Sequence, residues 1–276
     1  MSNNQLRPLV TAICCTYGRF SCVERALNCY LAQTHYNKRL IIYNTDVESM
    51  YKPSSFLFKN RVEIINNHID SVTGEPYTNV GAIRRDALAK ANLVFKNEGY
   101  VVTWDDDDIF LPHFMEQSID RMEQTGLPSF KPEMSFFYSG NNLRLVRNTL
   151  EASVVASVEK VLEYGYHLET GKEGLAWYTM LRDNKELNEH DTYYVPSYCF
   201  NWNDGQEMNA PHKQSGDIDN PDNFENHKSQ SLDKVNGRDL QEWSEEKMRE
   251  TYKPYFDYIK EHASDFPPEL VLRYGY

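Results

Sequence analysis

Four consecutive aspartates, Asp105 to Asp108, are the residues of this chain best suited to do chemistry. They follow the apolar run 100–104, whose valine, threonine and aromatic residues predict a β-strand. The carboxyl end of such a strand lies at the edge of an α/β sheet where ligands bind. Neighbouring carboxylates raise one another's pKa, so the cluster needs protonation, full solvation or a divalent cation with oxygen ligands. We expect a cation.

The alternative for the same motif is a solvated turn at a helix N-terminus, where the helix dipole favours aspartate. The segment 109–115 is largely apolar and contains Pro112, which suits a first helical turn. Asp108 could then cap that helix while lying near the cation. The motif alone leaves both interpretations open.

The elements that position the aspartates follow from the hydrophobic pattern. Before them the chain reads strand, helix, strand, strand, helix, strand, and Ser21 with Glu24 fits a capping box for the first helix. The corresponding segments are 9–15, 21–31, 39–43, 62–65, 79–95 and 100–104. This alternation predicts a mainly parallel sheet with helices on both faces.

The second half is less regular. Apolar runs predict strands at 134–138, 153–158 and 193–202, and a helix at 172–181. Residues 217–239 are polar and indicate a loop or linker. A last helix is expected from 240 to 259, with a stripe that packs on the domain: Tyr252, Tyr255, Phe256 and Ile259.

Composition limits the class of protein. The 276 residues suffice for an α/β domain with a sizeable core, and the net charge of −12 argues against a generally nucleic-acid-seeking surface. Arg144 and Arg147 flank a predicted strand, but two arginines do not make a nucleic-acid footprint.

Targeting signals and cysteines point to the interior of the cell. Residues 1–8 contain no apolar signal region, and no stretch approaches the roughly 20 apolar residues of a membrane span, so a cytoplasmic protein without a transmembrane segment is expected. The five cysteines lack metal-ligand spacing and indicate reduced, mostly buried thiols.

Several motifs together resemble the GT-A fold glycosyltransferases of family 2. Thr16-Tyr17-Gly18-Arg19 is similar to the turn after the family's first strand, with Gly18 in place of asparagine, and Gln33-Thr34 matches its helix end. Arg84 corresponds to the arginine of an Ala-Arg-Asn helix, in which Arg85 replaces the asparagine. The segment 100–112 matches the strand, the Asp-x-Asp-Asp motif and the following Leu-Pro.

The resemblance implies an α/β fold of GT-A (Rossmann-like) type, with a mostly parallel sheet flanked by helices and a C-terminal helical extension. The GT-A domain is expected to cover 1–216, with a nucleotide-sugar-binding half at 1–125 and an acceptor half at 126–216. The loop or linker then covers 217–239 and the helical extension 240–276.

The resemblance also assigns roles to residues. Seven residues would bind a nucleotide-sugar donor: Thr16, Tyr17, Arg19, Asp46, Arg84, Asp105 and Asp106. Asp107 would bind Mn²⁺ or Mg²⁺, and His212 is a second candidate ligand whose alternative is a solvated loop histidine. Because side chains alternate along a strand, we expect Asp106 to point away from the cation. Arg84 would hold a phosphate or pair with the acids, unless it is a surface arginine.

An inverting transfer needs a carboxylate that takes the proton of the acceptor hydroxyl. The family uses a Glu-Asp pair at a helix start, and here Gly174 stands in the place of the aspartate. Glu173 is therefore the first candidate base and Glu169 the second. Either could be an ordinary acid at a helix N-terminus.

The function implied is a metal-dependent inverting glycosyltransferase with a UDP-sugar as the expected donor. The acceptor stays open: a glycan, a lipid-linked sugar, a protein or modified nucleic acid. One rival is a nucleotidyltransferase on a related fold, which would need a glycine-rich, basic phosphate loop near the first strand, where this chain has one glycine. The other rival is a non-catalytic nucleotide-sugar-binding protein.

Overall fold

The computed structural model describes residues 7–95, 98–139, 142–168, 175–189, 195–201 and 245–273. Three candidate site residues, Glu169, Glu173 and His212, lie outside the described residues, and so does the loop or linker at 217–239.

The first half of the chain has the predicted elements in the predicted order, with one short helix added. It contains β1 (Val10–Thr16), α1 (Phe20–Ala32), β2 (Lys38–Asn44), α2 (Ser55–Lys59), β3 (Val62–Asn66), α3 (Val80–Phe95) and β4 (Tyr100–Thr103). The capping box at Ser21 is wrong, because α1 begins at Phe20 and Arg19 occupies the N-cap position without a side-chain cap bond. The short helix α2 was not predicted; Ser54 caps it by accepting a hydrogen bond from the Leu57 amide.

A seven-stranded sheet contains these strands and three more: β6 (Ser129–Phe130), β9 (Val155–Ser157) and β10 (Leu187–Asn188). Its strand order is β10-β6-β9-β4-β1-β2-β3. The pairs β4-β1, β1-β2 and β2-β3 are parallel, whereas β9 is antiparallel to both β4 and β6. The expected α/β architecture with a mostly parallel sheet is confirmed.

A second sheet has four strands: β5 (Ile109–Phe110), β7 (Met134–Ser139), β8 (Asn142–Arg147) and β11 (Tyr198–Asn201). Its strand order is β5-β11-β7-β8. The alternative of a helix that begins directly after the aspartates is wrong, because α4 (Phe114–Thr125) begins four residues after β5 ends. Phe110 instead stacks on Trp104, with ring centroids 3.9 Å apart, and pairs with Tyr198 across the strands.

The remaining helices are α5 (Val158–Tyr164), α6 (Leu175–Asp183), α7 (Glu245–Glu261) and α8 (Pro268–Arg273). The segment 153–158, predicted as one strand, divides into β9 and the start of α5, because Ser157 caps that helix by accepting the Lys160 amide. Arg144 and Arg147 lie within β8, a strand that the sequence pattern did not predict.

The core lies on both faces of the large sheet, as strand alternation requires. On one face Ala12 and Cys14 pack with α1, and Tyr252, Tyr255 and Ile259 of α7 join this cluster, as the stripe predicted. On the other face Ile13 packs with α3 and α6. The five cysteines are free and all but Cys15 are buried. In the described part of the chain, each helix is too short or too polar to cross a membrane.

Candidate functional site

The candidate site lies where β1 and β4 are neighbours in the large sheet. From β1 the chain continues through α1 to β2 on one side, while β4 lies on the other side, so this is the topological switch point where α/β sheets form a crevice. Arg19 follows β1 and the four aspartates follow β4. The switch point therefore brings together two motifs that are more than 80 residues apart in sequence.

Arg19 binds two of the aspartates. Its Nε donates to Asp106 at 3.2 Å and its Nη1 donates to Oδ2 of Asp107 at 3.1 Å, and Nη2 makes a further close contact with Asp106. Strand alternation, from which we expected Asp106 to point away from the cation, does not apply here, because β4 ends at Thr103 and Asp106 and Asp107 lie in a turn and bind the same arginine. Arg19 thus neutralises part of the run, a role that the sequence analysis did not give to this residue.

Arg84 from α3 binds the first aspartate. Its Nη2 donates to Oδ1 of Asp105 at 2.6 Å, and only 6% of Arg84 is exposed. Burial excludes the surface alternative for Arg84, and of the two remaining alternatives the structure shows pairing with an acid. The Asp105 side chain is 28% exposed, against 1% for Asp106 and 9% for Asp107, so Asp105 has the most accessible carboxylate of these three.

Asp108 has a structural role. It is buried, and its carboxylate accepts hydrogen bonds from the Tyr198 hydroxyl and, at 3.1 Å, from the Asn201 amide. Burial raises the pKa of Asp108 well above the usual range, and the charges of Asp107 and Asp105 add to this effect. The helix-cap alternative is wrong, because α4 begins only at Phe114. Asp108 instead fixes β11 to the turn.

Several bonds hold the turn of the aspartates rigid. The Asn201 side chain donates to the Asp107 carbonyl at 2.9 Å, and Arg25 of α1 donates to the same carbonyl at 3.1 Å. Below the turn, Trp104 is fully buried and its Nε1 donates to the Ala26 carbonyl at 3.0 Å. The carboxylates are therefore preorganised, which matters for binding a charged ligand. Sequence reasoning missed Arg25, which has no distinguishing spacing.

The remaining predicted donor-binding residues lie at the ends of β1 and β2. Thr16 and Asn44 are paired in register, and the Gly18 amide, in a turn with φ of 58°, donates to Oδ1 of Asn44 at 3.1 Å. Asp46 is 7% exposed and accepts the Glu48 amide at 3.0 Å. Burial raises the pKa of Tyr17, and the charge of Asp46 contributes. Asp46 thus lies near Tyr17, beside the switch point.

Arg85, beside Arg84, points into a different cluster. Its Nη2 donates to Asp70 at 2.5 Å and its Nε donates to Asp86 at 2.9 Å. Asp86 also accepts bonds from Ser71 and from the Tyr77 hydroxyl, and these bonds lower its pKa although burial opposes them. This network anchors the loop between β3 and α3. It gives Arg85 a structural role at the position where the resembling family has asparagine.

Tyr166 is a further neighbour of the site that sequence reasoning missed. Burial raises its pKa, Arg84 opposes this shift electrostatically, and the Thr103 side chain hydrogen-bonds it. The chain beside it is in close contact with α3, since a Cβ on Gly81 would lie 1.9 Å from the His167 carbonyl oxygen. Gly81 therefore lets the segment that leads into Glu169 lie against the N-terminal turn of α3.

A second missed group lies at the same edge of the sheet. Lys131 follows β6, is 3% exposed, and donates to the Asn148 carbonyl at 2.7 Å. Its Nζ lies 3.3 Å from Glu189, which follows β10 and accepts the Tyr178 hydroxyl at 2.9 Å. Desolvation lowers the pKa of Lys131. The cluster joins the ends of β6, β8 and β10 to α6, in the half expected to bind the acceptor.

The described residues fit a divalent cation only in part. Among them, no group of three His, Cys, Asp or Glu side chains gathers to hold a metal ion. Mg²⁺ and similar ions are, however, often bound by one or two carboxylates together with substrate phosphates. Asp107 and the partly exposed carboxylate of Asp105 suit a cation that arrives with a diphosphate.

No family model matches the sequence, and a comparison with curated proteins finds no similar sequence. Comparison with solved structures does find similar folds. S. aureus TarS 1–349 in complex with UDP-GlcNAc aligns with 72% of this chain and 60% of that chain, at 13% identity and a TM-score of 0.50. The same fragment in complex with UDP aligns with 72% and 62%, at 11% identity and a TM-score of 0.50.

A mannosyltransferase from Pyrobaculum calidifontis, in complex with GDP-Man and Mn²⁺, aligns with 85% of this chain and 67% of that chain, at 10% identity and a TM-score of 0.41. The chain spans about three fifths of the length of the TarS 1–349 structures. These neighbours are glycosyltransferases with a GT-A-like fold. The likeness to TarS establishes the same fold for this chain.

Proposed function

We propose that the protein is a metal-dependent inverting glycosyltransferase, which transfers a sugar from a nucleotide-sugar donor to a hydroxyl group. One observation carries the proposal: at the switch point of a GT-A sheet, two arginines from separate elements bind the aspartates of one rigid turn. A nucleotide-sugar offers the complementary groups, since its diphosphate needs cations and its ribose needs hydrogen-bond acceptors.

The donor would lie across the ends of β1, β2 and β4. In this arrangement Tyr17 and Asp46 contact the base or ribose, Asp105 accepts a ribose hydroxyl, and Arg84 contributes positive charge near the diphosphate. UDP is the nucleotide of choice because TarS, the neighbour with the higher TM-score, was solved with UDP and with UDP-GlcNAc. Thr16 and Asp106 act less directly, because both are almost fully buried.

Asp107 would hold Mn²⁺ or Mg²⁺, with His212 as the candidate second ligand. When bound, such a cation offsets the negative charge that develops on the departing diphosphate. The residues of the chain do the rest: the turn keeps the Asp107 carboxylate in place, and Arg84 keeps Asp105 at the edge of the crevice. A cytoplasmic location stays a prediction of the sequence.

Glu173 is the proposed base, with Glu169 as the second candidate. The reaction requires a carboxylate that accepts the proton of the acceptor hydroxyl as the sugar's bond to the diphosphate breaks. Support comes from Gly81, which lets the segment 165–168, directly before Glu169, lie against α3, and from Tyr166 in this segment, which Arg84 affects electrostatically. Glu173→Gln should lower sugar transfer while leaving UDP affinity unchanged. If Glu169→Gln does this and Glu173→Gln does not, the order of the two candidates is wrong.

The decisive experiment is Asp107→Asn, with hydrolysis of UDP-sugars in Mn²⁺ as the assay. Removal of the carboxylate charge should lower hydrolysis by about 100-fold or more, in line with the loss of one key electrostatic group in other enzymes. Asp70→Asn is the matched control, because Asp70 also pairs with an arginine but lies in the Arg85 cluster. Unchanged hydrolysis by Asp107→Asn would contradict the proposal. If the wild type hydrolyses none of the UDP-sugars faster than the uncatalysed background, the alternative of a non-catalytic nucleotide-sugar-binding protein is favoured.

A further inference from the structure

The contact between Arg19 and Asp107 has a consequence for the proposed cation. The Arg19 side chain is 18% exposed and binds Asp106 and Asp107 together, and both aspartates are buried. Nη1 lies 3.1 Å from Oδ2 of Asp107. A guanidinium cannot be deprotonated in a protein, so its positive charge stays beside this carboxylate at every ordinary pH.

A divalent cation on the same carboxylate would meet that charge at close range. Like charges a few ångströms apart repel strongly where water is scarce, and Asp107 is 7% exposed. Arg19 and the cation are therefore competitors for one group. The competition is relieved if Arg19 gains another anionic partner at the moment when the cation arrives.

We propose that Arg19 moves from Asp107 to the donor diphosphate when donor and cation bind, and so makes the binding of each depend on the other. The inference rests on the proposed function and concerns the same site. Arg19 occupies the N-cap position of α1 without capping it, so its side chain serves the switch point. Its planar fork of donors suits phosphate as well as carboxylate. Coupling of this kind is reciprocal: the donor raises cation affinity by the factor by which the cation raises donor affinity.

The test measures Mn²⁺ binding from the spin-resonance signal of the free ion, with and without UDP. Without UDP, Arg19→Ala should bind Mn²⁺ about tenfold more tightly than the wild type, within the usual range of coupling between ligands. The increase in Mn²⁺ affinity caused by UDP should shrink by the same factor. Arg85→Ala is the matched control, because it also removes an arginine shared by two aspartates, Asp70 and Asp86, and should leave Mn²⁺ affinity unchanged.

A second variant separates competition from the mere exposure of a buried acid. In Arg19→Ala alone, the buried Asp106 carboxylate loses its arginine partner and could disturb folding. The double variant Arg19→Ala with Asp106→Asn removes this charge and should bind Mn²⁺ as tightly as Arg19→Ala. Mn²⁺ affinity equal to that of the wild type in this double variant would overturn the Arg19 inference while leaving the proposed function intact. A wild type that binds neither UDP nor Mn²⁺ would overturn both.

Discussion

Gly81→Ala tests whether the segment 165–168 positions the proposed base. An added Cβ would lie 1.9 Å from the His167 carbonyl oxygen and 3.0 Å from the carbonyl carbon, and real Cβ contacts are longer than 3.0 Å. The oxygen must therefore retreat from 1.9 Å to beyond 3.0 Å, a shift of about 1.1 Å. Both contacted atoms belong to the backbone, so a change of rotamer cannot relieve the clash.

The expected effect is mainly on turnover. A displacement of about 1 Å in a positioning segment can cost about 100-fold in rate, so sugar transfer should fall by that order. Stability should change less, because overpacking costs about 1–3 kcal/mol while alanine gains up to about 1 kcal/mol over glycine in a helix. Affinity for UDP should persist, because the added Cβ would meet atoms of His167 and Asn79 and not of Asp46 or Arg84.

Steady-state transfer kinetics, UDP titration and urea unfolding measure these three quantities. Gly126→Ala is the control: Gly126 has φ of 71° with nothing within 4 Å of an added Cβ. That variant should lose about 1–2 kcal/mol of stability through backbone strain alone and keep its turnover. Wild-type turnover in Gly81→Ala would refute the positioning argument. Equal loss of turnover in both variants would show that lowered stability is the cause.

Three further predictions concern buried polar groups. Burial lowers the pKa of His113 to about 3. The His113 imidazole therefore stays neutral in the folded chain, whereas in the unfolded chain it gains a proton below about pH 6.5. This difference should lower the free energy of unfolding by about 2 kcal/mol at about pH 5. Urea unfolding at about pH 8 and about pH 5 should show this extra loss in the wild type but not in His113→Asn; equal losses would contradict the neutral assignment. Tyr198→Phe removes a donor to the buried Asp108 carboxylate and should cost about 1–3 kcal/mol in urea unfolding, and an unchanged midpoint would argue against that bond. Lys131→Met leaves the Glu189 carboxylate without its cationic partner and should lower the free energy of unfolding by about 3 kcal/mol or more. The double variant with Glu189→Gln should recover part of this loss. If the losses of the two single variants simply add in the double variant, Lys131 and Glu189 do not act as a pair.

The order of the elements around the site could be predicted because its signals are local. The strands β1, β2, β3 and β4 are short apolar runs, and α3 has apolar residues at helical spacing, so each element is recognisable within its own window. Errors occurred where a local pattern fits two structures. The segment 109–115 suits a helix, but Phe110 packs on Trp104 and pairs with Tyr198, so Ile109–Phe110 forms a strand and the helix begins only at Phe114.

The sequence by itself determined that an acidic cluster follows a strand of a mainly parallel sheet, because the lengths of the apolar runs and the alternation of strands and helices can be recognised from residues that are neighbours in sequence. Only the tertiary structure decided how that cluster is neutralised. Arg19 and Tyr198 lie 87 and 90 residues from the aspartates they contact, and Lys131 meets Glu189 only through the pairing of β6 with β10. Contacts over such separations depend on the order of strands in the sheet, which no local pattern records.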